Sequence, residues 1–244
     1  MNILELNHIT KNYHEISNET RAIADVSFSV REGELLSIVG PSGCGKSTLL
    51  SIISGLIAPS SGEVRLLRPV KVGYMPQRDH LFEWRDILSN ACLGLEIQKT
   101  KTPENVAFVT DMLKQYGLGN FMRFYPSQLS GGMRQRAALI RTLAVRPDIL
   151  LLDEPFSALD YQTRLYVAEE ITSIIRQQKK TAIFVTHDIS EAVAVSDRVL
   201  VLSRRPTHVV SEHEIKLSPG VKPREAPEFG GYFNAIWKEL DINV

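Results

Sequence analysis

Residues 39 to 50 read Val-Gly-Pro-Ser-Gly-Cys-Gly-Lys-Ser-Thr-Leu-Leu, which puts Gly40, Gly43 and Gly45 within six positions and follows them with a lysine and two hydroxyls. Glycine costs conformational entropy on folding, so three in one short turn imply backbone that must lie close to something. The stretch fits the pattern G-x-x-x-x-G-K-[ST]. In that pattern the loop through Gly40, Pro41, Ser42, Gly43, Cys44 and Gly45 cradles phosphates with its backbone N–H groups, of which Pro41 has none, Lys46 reaches the terminal phosphates, Ser47 gives a hydroxyl to Mg²⁺, and Thr48 adds a second hydroxyl. With glycine at ~7% of residues, the four fixed positions coincide by chance at on the order of one start in 10⁴ to 10⁵. Cys44 needs only to be a small filler there, not a catalytic thiol.

A second group stands at the end of an apolar run, Leu150-Leu151-Leu152-Asp153-Glu154. Ligands of open parallel sheets sit beyond the carboxyl ends of the strands, so these acids are expected to meet the phosphate loop. Asp153 suits a Mg²⁺ shell and Glu154 suits a base for water. A third group, Ser130-Gly131-Gly132, precedes a run containing Ala137, Ala138 and Leu139 and reads as another helix N-terminus facing an anion. Two such helix starts serve a chain with one phosphate loop.

The elements that must position these groups are legible in outline. The apolar run 35–39 predicts a buried strand, and Leu49, Leu50, Ile52, Ile53 and Leu56 fall at helical spacing after the loop. Alternation at 26–30, 63–66 and 70–74 predicts three more strands in a β-rich first third. Thr102-Pro103 predicts a capped helix start, with Val106, Val109, Leu113 and Tyr116 on one face and Gly117 as the stop. From about 86 to 146 no strand signal appears, which predicts a helical insertion; Arg134 and Arg136 within it read as a solvated helix face. Runs at 149–152 and 181–185, separated by a long helix, predict buried parallel strands and hence an α/β sheet. Pro206, Pro219, Pro223 and Pro227 mark a looser segment. Beyond it, Phe229, Tyr232, Phe233, Ile236, Trp237 and Leu240 form one helical face, expected to dock on its own domain.

Bulk composition narrows the partners. The 244 residues are 43% hydrophobic, and 28 basic side chains balance 28 acidic ones, so no global field draws the chain to nucleic acid, and none is expected as a partner. No apolar run approaches the ~18 residues of a membrane span, and the first residues lack a signal pattern. Cys44 and Cys92 cannot make a disulfide framework, which predicts a reducing, cytosolic setting.

The residues at 129–136, Leu-Ser-Gly-Gly-Met-Arg-Gln-Arg, resemble the signature of the ATP-binding subunits of ABC transporters. The order of the other motifs is similar too: phosphate loop, Gln77 after Tyr74-Met75-Pro76, signature, Asp153-Glu154, Ser157-Ala158-Leu159-Asp160, His187. The resemblance covers nearly the whole chain. It implies a phosphate-loop, RecA-like ATPase core with an N-terminal antiparallel β subdomain and an inserted α-helical subdomain at about 86–146, the ATPase domain spanning 1–218 and a tail with an amphipathic helix spanning 219–244. It implies ATP and Mg²⁺ as ligands, with Gln77 sensing Mg²⁺ and the attacking water, His187 contacting the γ-phosphate and Tyr13 stacking on adenine. Tyr13 also reads, more plainly, as an exposed aromatic of an N-terminal loop. Two copies would pack head to tail, the Ser130-Gly131-Gly132 signature of one closing on the ATP of the other, with Asp160 coupling the two half-sites.

Residues 123–160, Trp84-Arg85, Asn90, Leu93-Gly94-Leu95-Glu96 and Pro223-Arg224 are similar to importer subunits for nitrate, sulfonate, taurine and bicarbonate. Phe82-Glu83 departs from the apolar residue and proline usual before that tryptophan. The implied protein is a homodimer in its ATP-bound state, on the cytoplasmic face of the membrane, working with an integral membrane permease and a separate solute-binding protein. The cluster Leu81-Phe82-Glu83-Trp84 is expected either to receive a short helix of the permease or to pack beneath the helical insertion. Two alternatives stay open: a soluble ABC-type ATPase acting on nucleic acid or ribosomes, and a phosphate-loop kinase or GTPase, neither of which needs a signature in the second case.

Overall fold

The computed structural model describes residues 1–15, 18–156 and 159–242. Ser157 and Ala158, named above with Asp160, lie outside the described residues. The strands are β1 (Asn2–Glu15), β2 (Asn18–Arg31), β3 (Leu35–Val39), β4 (Ser61–Leu66), β5 (Val72–Met75), β6 (Ile149–Asp153), β7 (Thr181–Thr186), β8 (Arg198–Leu202) and β9 (Thr207–Glu214). The helices are α1 (Lys46–Ile53), α2 (Ile87–Ala91), α3 (Leu93–Ile97), α4 (Pro103–Gln115), α5 (Gly131–Ala144), α6 (Tyr161–Gln177), α7 (Ile189–Val195) and α8 (Phe229–Ile242).

The strands form a sheet in the order β4-β1-β2-β9-β8-β3-β7-β6-β5. Its β1, β2 and β4 pair antiparallel, whereas β8, β3, β7, β6 and β5 run parallel. The fold is thus an α/β phosphate-loop core carrying an N-terminal antiparallel sheet. Alternation along the buried strands divides the apolar core into two faces. Leu150, Leu152, Ala182 and Phe184 join α4, α5 and α6 on one side, while Ile149, Leu151, Ile183 and Val185 join α1 and the N-terminal strands on the other.

Between Ile87 and Ala144 the described residues form helices and 3₁₀ turns without a strand. The Thr102 hydroxyl caps α4 by accepting from the Asn105 amide, Pro103 occupies the first turn, and Gly117 follows at φ 75°. Around α8, Ile236 is buried, and Phe229, Tyr232, Phe233 and Leu240 pack with it against α7, β8 and β9; Trp237 stays 55% exposed and stacks on Phe233. The tail therefore docks on its own chain.

Three expectations need correction. The N-terminal strand signal at 26–30 belongs to a much longer hairpin, β1 and β2, and Tyr13 lies in β1 rather than in a loop. The stretch just after Pro206 is not loose: residues 207–214 form β9, antiparallel to β8. Arg134 and Arg136 are not a solvated face. Arg134 donates to Asp79 at 3.1 Å and to the Leu129 carbonyl at 2.8 Å, and Arg136 pairs with Glu170 at 2.7 Å.

Candidate active site

The loop at 40–45 leaves β3 and enters α1, whose N-cap is Gly45 at φ 122° with no side-chain cap. The first amides of α1 thus receive no side-chain acceptor at the N-cap, and the positive end of the helix dipole lies at the loop. Lys46 is buried, and its ammonium donates to the carbonyls of Gly40 at 2.7 Å and Pro41 at 3.0 Å. Cys44 is buried and its thiol is pushed up by that burial, which fits a filler and not a nucleophile. Tyr13 reaches the same helix start: its hydroxyl lies 3.4 Å from Thr48 Oγ1.

Sheet order assembles the rest. β3, β7, β6 and β5 are neighbours and parallel, so the residues following each strand gather beyond one edge. Asp153 ends β6 and Glu154 follows; His187 follows β7; Gln77 stands two residues past β5. Ser47 Oγ donates to Asp153 Oδ1 at 3.0 Å and the Tyr74 hydroxyl donates to Oδ2 at 3.2 Å. Burial, helped by the charge of Glu154, raises the Asp153 pKa, with the Ser47 and Tyr74 bonds and Lys46 opposing. Burial and the Asp153 charge push Tyr74 up to about 12, so it remains a donor.

Glu154 sits between two side chains that the sequence pointed to separately. Gln77 Nε2 donates to Oε2 at 3.1 Å, and His187 Nδ1 lies 3.3 Å from Oε1. Glu154 adopts φ 43°, a left-handed conformation costing a non-glycine residue on the order of 1 kcal/mol, and its amide donates to the Val185 carbonyl at 2.9 Å. Backbone strain at this position aims the carboxylate beyond the sheet edge toward Gln77 and His187.

The other predicted residues lie at helix starts. Ser130 caps α5, accepting from the Met133 amide, and Asp160 caps α6, accepting from the Thr163 amide, whose bond lowers the Asp160 pKa. Gly131 and Gly132 also have a packing reason: a Cβ at Gly131 would stand 2.9 Å from Leu159 Cδ2, and one at Gly132 would stand 3.0 Å from Val167 Cγ2. Those contacts hold the start of α5 close to α6.

Ser47 Oγ and the Asp153 carboxylate give a pair of hard oxygen donors next to the phosphate loop, the chemistry that suits Mg²⁺, which takes one or two carboxylates and completes its shell with phosphates and water. Gln77 is joined to Glu154 rather than to this pair in the contacts above. Tyr74 was missed as a site residue, although it precedes Met75-Pro76-Gln77 and lies in β5 opposite Leu151 of β6.

The family model for ABC transporters matches residues 23–157. The chain is similar to an uncharacterized ABC transporter ATP-binding protein of Bacillus subtilis, YtlC, at 44% identity over 99% of this chain and 96% of the relative. It is 36% identical to the taurine import ATP-binding protein TauB of Roseobacter denitrificans, over 96% of this chain and 94% of that one. Among solved structures, a dimeric post-hydrolysis state of the ATP-binding cassette MJ0796, bound to ADP and Pi, matches with a TM-score of 0.76 and 32% identity, over 87% of this chain and 99% of that one.

Proposed function

The chain belongs to the ABC transporter family as an ATP-binding ATPase subunit, and from that premise we propose that it powers an importer of a small anion or small organic solute with Glu154 as the base of hydrolysis. The reading rests above all on the convergence of Gln77 and His187 on the Glu154 carboxylate, one residue past an aspartate bonded to Ser47 of the phosphate loop. In it, the loop amides and Lys46 bind the phosphates and Tyr13 stacks on adenine. Ser47 and Asp153 would hold Mg²⁺, with Gln77 sensing it; the ion supplies charge neutralisation at the phosphates. Glu154 takes a proton from the attacking water while Gln77 and His187 fix its carboxylate, His187 also facing the γ-phosphate.

The importer direction is supported by relatives such as TauB, whose name describes taurine import. Partners in this reading are an integral membrane permease, a separate solute-binding protein and a second copy of the chain. The second copy brings Ser130, Gly131 and Gly132 onto the ATP, and Asp160 couples the half-sites; a dimeric form of the similar cassette MJ0796 supports this. No described helix is long and apolar enough to cross a membrane, so in this reading the chain reaches the cytoplasmic face of the membrane through the permease.

Glu154→Gln tests the assignment, because it keeps shape and hydrogen bonding but cannot take a proton. Steady-state turnover should fall roughly 10² to 10⁴-fold, the usual share of general base catalysis, with ATP affinity by titration unchanged. Turnover close to wild type removes Glu154 from the role of base.

A further inference from the structure

A loop that turns its amides onto phosphates must turn its carbonyls outward, where each needs a donor or water. Lys46 supplies Gly40 and Pro41 from within the loop. The next two carbonyls with side-chain donors are served from far along the chain. Arg205 Nη2 donates to the Gly43 carbonyl at 2.7 Å, and Thr207 Oγ1 donates to the Cys44 carbonyl. Both donors lie on or beside the connection from β8 to β9, 162 and 163 residues away in sequence.

The two segments also touch closely. A Cβ at Gly40 would stand 3.1 Å from Leu202 Cβ at the end of β8, and one at Gly45 would stand 3.3 Å from Thr207 Oγ1. Thr207 is 1% exposed and pairs with Ile23 of β2, so its hydroxyl is fixed by the sheet. Arg205 is exposed and adds a positive charge beside Pro41–Cys44, with which it shares a cavity lining together with Arg204.

We propose that the β8–β9 connection is a strap that sets the phosphate loop before nucleotide arrives, with Thr207 and Arg205 as positioning residues for nucleotide affinity. The proposal rests on the reading of 40–48 as the phosphate cradle. A preset cradle improves the binding of substrate and transition state alike, so loosening it raises KM and leaves kcat nearly alone. The buried Thr207 bond carries more than the solvated Arg205 bond, because a buried carbonyl left without its donor cannot turn to water.

The test is equilibrium titration of the full chain with MgATP, together with steady-state kinetics, on Thr207→Val, Thr207→Ser, Arg205→Ala and Lys46→Ala. Thr207→Val keeps the shape and removes the donor; it should raise Kd and KM about tenfold with kcat within about twofold of wild type. Thr207→Ser keeps the donor and removes a methyl, and should bind within about twofold of wild type; Arg205→Ala should weaken binding roughly threefold. Wild-type affinity in Thr207→Val, or Thr207→Ser as weak as Thr207→Val, overturns the strap, the latter showing that the methyl packs and the hydroxyl is idle. Should Thr207→Val fail to fold, unchanged affinity in Arg205→Ala overturns it instead. Lys46→Ala separates the two levels: if it loses ATP while Thr207→Val keeps it, only the strap falls, and if it binds like wild type, the cradle reading itself falls.

Discussion

Asp153 carries its charge where burial disfavours it. Only 5% exposed, it is compensated by the Ser47 and Tyr74 hydroxyls and by Lys46, yet its pKa stays above the ordinary 3.8. A carboxylate with a raised folded pKa contributes its full stability below the unfolded value and loses it as pH rises through the folded value. At neutral pH the fold therefore bears the cost of a partly desolvated charge, a cost that the proposed metal role of Asp153 would account for. Asp153→Asn should raise the melting temperature of the nucleotide-free protein by a few degrees at pH 7 to 8, while ATP turnover collapses. The gain should shrink as pH falls and the wild-type acid takes up its proton; thermal melts over falling pH check it, and a lower melting point at neutral pH contradicts it. Residues whose type encodes backbone geometry were legible from sequence: Gly45 at a helix start, or Lys46 after it. Tyr74 and Thr207 were not, because their partners Asp153 and Cys44 stand 79 and 163 residues away and only the sheet order brings them together.

Between the phosphate loop and the helical insertion, residues 81–86 place apolar side chains on both sides of the surface. Leu81 is core, 6% exposed, as the packing account of this cluster expected. Phe82 and Trp84 do otherwise: their rings stack at 4.8 Å and Trp84 is 74% exposed. The loop is held from beneath by buried Asn90, whose amide accepts from the Phe82 amide and donates to the Phe82 and Arg85 carbonyls. A stacked aromatic pair on a fixed loop suits a partner helix. Phe82→Ala with Trp84→Ala should leave melting temperature and basal ATP hydrolysis of the isolated subunit nearly unchanged and weaken co-purification with the permease. A drop of several degrees with lost hydrolysis makes the pair core. Elements with punctuated ends, such as α4 between Thr102 and Gly117, could be placed from sequence. β9 could not: only Val209 and Val210 are apolar along Thr207–Glu214, and Pro206 just before it reads as a breaker. Arg134 and Arg136 look like solvent-facing charge until α6 and Asp79 are brought against them.

For the whole chain, a zero formal net charge leaves recognition to local sites, and in the proposed reading two of these are helix starts that face an anion, α1 at Gly45 and α5 at Ser130. The proposed answer to this surplus is a second copy, each chain lending its signature to the other's ATP. The measurement that bears most directly on it is the mass of the Glu154→Gln chain in solution, with and without ATP, by size-exclusion chromatography with light scattering. Because hydrolysis is blocked while binding is kept, the account predicts a monomer without nucleotide and a species of twice that mass with ATP. A chain that binds ATP yet remains monomeric at high protein concentration contradicts it.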